Sequence, residues 1–256
     1  MFKAEIICNK KEAKDTYLLG LNFEKEVEGK VLPGQFLKLK IDDRLHPLVP
    51  RPFTLHEVSG SCVYILYQVR GKVTRLLTRL KKGDTVECLL PLGKPFPVLK
   101  DYIICAGGVG VAGFGFLLQM ASFNKKYHLP EVFVYGARSK DFLARLEFYK
   151  NFGVPMEVAT DDGSFGKKAF VPQVLEEVLK EKPRDVLACG PPIMLKKVAE
   201  LGKVYGVRVY LVMETFLGCG TGFCLGCVIP LKNGGYVHLC KDGPTLLAEE
   251  IDLNAI

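Results

Sequence analysis

The sequence predicts two folds in tandem: an all-β, N-terminal antiparallel β-barrel, then a parallel α/β domain, with a cysteine-bearing segment after them. Three observations carry this. The first hundred residues read as period-two strands broken by Pro33-Gly34, Ser59-Gly60 and Gly83-Asp84. Beyond them, strands alternate with amphipathic helices, the pattern of a parallel sheet covered by helices. Near the C-terminus, "FLGCGTGFCLGCVIP" (Phe216 to Pro230) crowds three cysteines and four glycines into fifteen residues.

The expected strands of the barrel are Phe2–Cys8, Thr16–Phe23, Gln35–Ile41, Pro52–Val58, Cys62–Val69 and Thr85–Gly93. They are rich in aromatic and β-branched residues. One helix fits Val73–Lys82, with Val73, Leu76, Leu77 and Leu80 on one face. Six strands with little helix suggest a small barrel spanning 1–98. The proline-rich stretch "GKPFPVLKDY" serves as a linker. The α/β domain, 99–215, pairs strands with helices: Tyr102–Gly108 with Val111–Phe123, Val132–Arg138 with Lys140–Phe152, Met156–Gly163 with Val171–Lys180, and Asp185–Pro191 with Pro192–Tyr205. The last strand is Arg208–Thr215. The segment 216–256 follows a completed sheet and is expected to hang outside the core.

Composition narrows the class. With 256 residues and 48% hydrophobic content, the chain can bury a sizeable core. No apolar run reaches the roughly 18–20 residues of a membrane span. The opening "MFKAEIICNKKEAKD" lacks the apolar centre of a signal peptide, so a cytoplasmic protein is expected. The net charge of +7 comes from scattered basic residues, without an arginine-rich run or zinc-finger spacing, so nucleic acid is not an expected partner. Nine cysteines without an export signal argue against a disulfide framework. Cys8, Cys62, Cys88, Cys105 and Cys189 sit singly in apolar runs and read mostly as small core residues.

The remaining four form Cys219-x4-Cys224-x2-Cys227-x12-Cys240, the plant-type 2Fe–2S spacing. Two bridged iron atoms need four thiolates arriving from different directions. One tightly wrapped loop can supply three, if glycines let its backbone bend and turn N–H groups toward sulfur. "KNGGY" (Lys232–Tyr236) reads as a hairpin turn returning Cys240 to the site. Zinc and a Rieske-type role for His238 are the alternatives. Zinc prefers two short cysteine pairs and Rieske centres use two histidines.

Other stretches suggest nucleotide sites. In Arg51-Pro52-Phe53-Thr54 the guanidinium can pair with phosphate and the hydroxyl can bond a ring nitrogen; an edge strand with a turn is the plainer reading. "LYQVRGKVT" (Leu66–Thr74) runs from a strand into a helix start, where N–H groups can hold a pyrophosphate. "CAGGVGVAGF" follows a strand, opens a helix and spaces its glycines G-G-x-G-x-x-G from Gly107 to Gly113, although any strand-to-helix turn favours glycine. "ACGPPIM", with Cys189, Gly190 and Pro191, is a second such turn. "DDGSFG" (Asp161–Gly166) is either a third or a simple turn.

In this order, these stretches and the four cysteines resemble the ferredoxin–NADP reductase-like electron-transfer subunits, above all those of dihydroorotate dehydrogenase B. The tail "CKDGPTLLAEEIDL" shares the resemblance, which covers essentially the whole chain. It implies a β-barrel flavin domain, a Rossmann-like nucleotide domain and a C-terminal iron–sulfur loop. It implies FAD against Arg51, Pro52, Phe53 and Thr54, with Leu66, Tyr67 and Gln68 along its ring or ribityl chain and Val73 and Thr74 by its pyrophosphate. NAD falls to Gly107, Gly108, Gly110, Cys189, Gly190 and Pro191, and a 2Fe–2S cluster to Cys219, Cys224, Cys227 and Cys240. No side chain is expected to act as a catalytic nucleophile. The implied partner is a catalytic dihydroorotate dehydrogenase subunit, two copies of each chain forming a heterotetramer that serves pyrimidine biosynthesis. Relatives of the sulfide dehydrogenase or bifurcating transhydrogenase type share the architecture. Family members have glycine where Val73 stands, and valine does not readily adopt positive φ, so the loop must differ there. Arg138 is a candidate contact for a 2′-phosphate, or a capping or solvated arginine.

Overall fold

The computed structural model describes residues 1–41, 49–123 and 126–253; the last three residues of the segment 216–256 lie outside them. Seven strands form the first sheet: β1 (Phe2–Ala13), β2 (Thr16–Phe23), β3 (Phe36–Lys40), β4 (Arg51–Thr54), β5 (Glu57–Ser59), β6 (Cys62–Gln68) and β7 (Thr85–Leu92). Their order is β4-β3-β7-β1-β2-β6-β5, with every pair antiparallel. The expected strand Pro52–Val58 is therefore two strands. Leu55 and His56, both fully buried, separate them, and the halves stand at opposite edges of the sheet. This two-residue link draws the edges together and closes the sheet toward a barrel. Inside lie Ile6, Leu19, Leu21, Leu37, Leu39, Val63 and Ile65.

Helix α1 (Lys72–Leu77) ends five residues before the expected boundary. Val73 lies within it, buried, and is not among the residues with positive φ.

The second sheet has the order β11-β10-β9-β8-β12-β13-β16. Its strands are β8 (Tyr102–Gly107), β9 (Val132–Ala137), β10 (Met156–Thr160), β11 (Lys167–Lys168), β12 (Asp185–Cys189), β13 (Val209–Val212) and β16 (Thr245–Leu247). All pairs are parallel except β13 with β16. Alternation along β8 places Ile103 and Cys105 against α4 (Val171–Glu181) and α5 (Pro192–Tyr205). Ile104 and Ala106 face α2 (Phe114–Phe123) and α3 (Leu146–Lys150). Two expected helices are broken. A 3₁₀ turn over Gly108–Gly113 precedes α2, and Arg145, at φ 57°, separates the 3₁₀ turn Lys140–Phe142 from α3.

The tail corrects one expectation. The hairpin β14 (Val228–Pro230) and β15 (Tyr236–His238) leads through α6 (Leu239–Asp242) to β16, which adds an antiparallel edge to the nucleotide sheet. Cys227, Ile229, Leu239, Cys240, Leu246 and Ile251 share one hydrophobic core with α4, α5 and the barrel residues Phe36 and Leu92. The hairpin and tail of the cysteine segment, with Cys227 and Cys240, are built into this core, while residues 221 and 223–226 of its loop stay exposed. No helix among the described residues is long and apolar enough to cross a membrane.

Candidate functional site

Strands β8 and β12 are neighbours, and their chain connections leave in opposite directions across the sheet: β9 on one side, β13 on the other. Such a reversal leaves a crevice beyond the strand ends. The two turns that meet there are Gly107–Gly110 and Cys189–Pro191. They touch so closely that a Cβ on Gly110 would stand 2.5 Å from the Cys189 carbonyl oxygen. Glycine is required here for backbone approach.

Above this crevice, against the barrel, lies a cavity of about 1410 Å³. Typical single-ligand pockets measure about 300–1,000 Å³, so it has room for more than one nucleotide. Barrel residues Arg51, Pro52, Phe53, Thr54, Leu66, Tyr67, Gln68, Val73 and Thr74 line it, as do Gly107, Gly108, Gly190 and Pro191 of the second domain. Gly110 and Cys189 are not in the lining; they join the two turns behind the wall. Burial pushes the Cys189 thiol well above its usual range, as it does for Cys105.

Local bonds preset this wall. The Thr74 hydroxyl accepts from the Arg70 and Gly71 N–H groups at 2.9 and 3.0 Å, fixing the start of α1. Tyr67 is buried, donates to Asn9 Oδ1 and stacks on Tyr17 at 5.7 Å. Its hydroxyl is thus committed to the barrel, leaving the ring to shape the wall. In "DDGSFG", only Asp161 lines the cavity, opposite Arg138; Asp162 accepts two hydrogen bonds from Ser164 and makes the rest a turn. Sequence reasoning missed Phe170 and Gln173 at the start of α4, and Met194, Lys197 and Glu214. Gln173 and Lys197 carried only the weak signal of polar residues in the first turns of helices that follow strands.

The cysteines form a second centre. Cys227 and Cys240 are buried with sulfurs 3.2 Å apart; Cys224 is exposed and Cys219 half-buried. Backbone N–H groups reach these sulfurs: Thr221 and Cys224 to Cys219 Sγ at 3.3 Å, Cys219 to Cys224 Sγ at 3.4 Å, and Gly222 to Cys240 Sγ at 3.1 Å. Gly220 and Gly222, both at φ 82°, turn the loop so that these donors point inward. The thiols thus stand two by two, Cys219 with Cys224 and Cys227 with Cys240. Two pairs suit a two-iron centre, in which each iron takes two thiolates. Hydrogen bonds from Thr221 and Cys224 hold Cys219 down at about 5, while burial pushes Cys240 up to about 11. Beside the loop, Lys38 donates from Nζ to the Gly218 carbonyl. Phe216, Phe223 and Leu225 are strongly exposed on the same segment.

A barrel-like flavin domain, a switch-point crevice and a paired-thiol loop define an iron–sulfur flavin reductase of the NAD(P)H-linked class. Residues 214–252 match the iron-sulfur cluster binding domain of dihydroorotate dehydrogenase B. The chain is 34% identical to the dihydroorotate dehydrogenase B (NAD(+)) electron transfer subunit homolog of Aquifex aeolicus, covering 98% of each chain. It is 37% identical to the electron transfer subunit of Bacillus velezensis, covering 86% of this chain and 87% of that one. A chain of the NADH-dependent reduced ferredoxin-NADP oxidoreductase, studied for flavin-based electron bifurcation, superposes with a TM-score of 0.84 at 26% identity, over 98% of this chain and 90% of that one. The chain belongs to the dihydroorotate dehydrogenase B electron transfer subunit family.

Proposed function

We propose that this chain is the electron-transfer subunit of an NAD-linked dihydroorotate dehydrogenase, carrying electrons from a dihydroorotate-oxidising partner to NAD+ in pyrimidine biosynthesis. The observation that carries the reading is that one chain holds two centres: the cavity faced by Arg51–Thr54 and Gly107–Gly108, and paired thiols whose core also contains Met194 of the cavity lining. A flavin exchanges two electrons as hydride with a nicotinamide and one at a time with an iron–sulfur cluster, which is why both groups belong in one chain.

FAD would lie along Arg51, Pro52, Phe53 and Thr54, with Leu66, Tyr67 and Gln68 beside its ring and ribityl chain. The start of α1, ordered by Thr74, receives its pyrophosphate. NAD would enter over Gly107, Gly108, Gly190 and Pro191; Gly108 opens onto free space, while Met194 packs against Gly107 and Gly190 and borders the entry. Gly110 and Cys189 support that floor from behind. Arg138, facing the cavity over the Phe142 ring at 5.4 Å, is the residue placed to meet the adenosine ribose side. Cys219, Cys224, Cys227 and Cys240 would ligate the 2Fe–2S cluster. The partner docks over the exposed Phe216, Phe223 and Leu225, bringing its own redox group to the cluster; two copies of each chain make the expected assembly.

The test is anaerobic reduction of the purified protein by NADH with low-temperature electron paramagnetic resonance. A rhombic signal from a reduced 2Fe–2S centre supports the reading. A signal with dithionite but not NADH would overturn the nicotinamide or flavin assignment. The likeness to the bifurcating oxidoreductase favours one second reading, the FAD and 2Fe–2S subunit of another NAD(P)H-linked complex. Co-purification with a dihydroorotate-oxidising chain separates the two.

A further inference from the structure

Lys38 is one of few charged side chains buried among the described residues, at 2% exposure. It stands on β3 opposite Pro52 of β4 and Leu89 of β7. Strand alternation turns its neighbours Leu37 and Leu39 into the barrel interior. Phe36, two residues away on the same face, packs instead with the core of the cysteine segment. Lys38 thus leaves the barrel on its outer face, and the cysteine loop buries it. Its ammonium donates to the Gly218 carbonyl, and its stem lies where a Cβ on Gly220 would meet Lys38 Cδ at 2.6 Å. Burial lowers its pKa; Cys219, Cys224 and Cys240, in that order among the thiols, oppose the shift.

A buried lysine is costly unless something needs its charge. The Gly218 carbonyl supplies a hydrogen bond, and ionised Cys219, Cys224 and Cys240 would supply the counter-charge. When two iron atoms and two sulfides are held by four thiolates, the assembly is an anion, and taking up an electron makes it more negative. A cation sheltered from water at its edge favours the added electron, and net charge and hydrogen bonding are among the levers that set such potentials.

We propose that Lys38 is a positioning and potential-setting residue that ties the cysteine loop to the flavin barrel and favours the reduced cluster. This rests on the assignment of the four cysteines as cluster ligands. The residue touches neither the ligands' iron nor the substrate; it acts through the loop backbone and through charge.

The experiment is a dye-mediated redox titration of the full-length holoprotein, followed by electron paramagnetic resonance, for the native chain, Lys38→Met and Lys38→Arg. Amide hydrogen exchange over residues 218–222 is measured alongside. Lys38→Met should lower the cluster's reduction equilibrium at least tenfold, about 59 mV for one electron. It should speed loop exchange about tenfold, while leaving the flavin potential unchanged. Lys38→Arg, which keeps the charge, should stay within about threefold of the native equilibrium. A Lys38→Met protein with native potential and native exchange overturns the proposal, as does an arginine variant shifted as far as the methionine one. If Lys38→Met takes up no cluster, exchange is compared in the iron-free proteins. Faster loop exchange than in the iron-free native chain supports the tether, and equal exchange overturns it. Iron and sulfide analysis of the native chain comes first. A native chain without them sinks the cluster assignment itself, a failure distinct from that of Lys38.

Discussion

His56 shows what burial does to one titratable side chain. It is fully buried between the barrel and α2, where Nδ1 donates to the Ala112 carbonyl at 2.9 Å. Burial lowers its pKa from 6.5 to about 3, with the nearby Arg145 acting in the same direction. The folded protein keeps this imidazole neutral while the unfolded chain protonates below about pH 6.5. Stability is therefore lost as pH falls from 6.5 toward 3, by up to ~1.4 kcal/mol per pH unit from this group. In His56→Asn, which retains a donor near the Nδ1 position, that part of the slope should vanish. Urea unfolding of both proteins between pH 7 and 5 measures it, and parallel slopes would refute the assignment. At the second centre, Cys224→Ser should abolish iron and sulfide binding while retaining FAD, since the flavin wall lies on β4, β6 and α1. Metal analysis and flavin absorbance check this; equal loss of both would contradict separate sites. Cys219, Cys224 and Cys227 needed no tertiary information to be found, because their spacing within one loop is a local property, and Cys240 follows one short hairpin later. Lys38 was invisible for the opposite reason. In "QFLKLKI" it reads as the polar face of a strand, and only a loop arriving from 180 positions away buries it.

Elements were legible where their packing is local. Strand alternation and helix periodicity located both sheets and most helices. The misses lie where distant contacts overrule the local pattern. Pro52–Val58 alternates like one strand, yet the barrel's closure splits it at Leu55 and His56. Residues 140–152 carry a helical pattern, yet Tyr135 bonds the Ala144 backbone through its hydroxyl, and Arg145 leaves the helical region to reach Glu57. The tail strand β16 is three residues long and gains order only by pairing with β13. Its anchor is testable. Ile251 is fully buried and bridges Leu231. Ile251→Ala should cost about 2–4 kcal/mol, the range for emptying a packed core site, and should lower iron retention, because the same core holds Cys227 and Cys240. Denaturant unfolding and iron content measure both effects. Lost stability with unchanged iron would show that the tail and the cluster loop are independent.

Across the whole molecule, the two domains are joined by a small ion-pair group. Arg145 Nη2 meets Glu57 Oε1 at 2.5 Å, Glu12 stands 4.0 Å from Nη1, and the guanidinium lies 4.2 Å from the Phe148 ring centroid. These groups are largely buried, so breaking the pair leaves Glu57 without its counter-charge. Arg145→Met should destabilise the protein by about 1–3 kcal/mol, between the ranges for exposed and buried pairs. It should also raise the KM for NADH more than it lowers kcat, because the cavity spans the joint it secures. Steady-state kinetics with an artificial acceptor reads the split, and an unchanged KM would sever the link between joint and cavity. The sequence by itself determined the two fold classes, their order, the four-cysteine spacing and the glycine turns at the cavity floor. Each of these is written in periodicity, in turn glycines or in short-range ligand spacing. Only the tertiary structure decided that Cys227, Cys240 and the tail join the core, that Gly110 and Cys189 stand behind the wall, and that Lys38 meets the thiol loop. Those facts are contacts between residues far apart in the chain, and such contacts leave no local pattern to read.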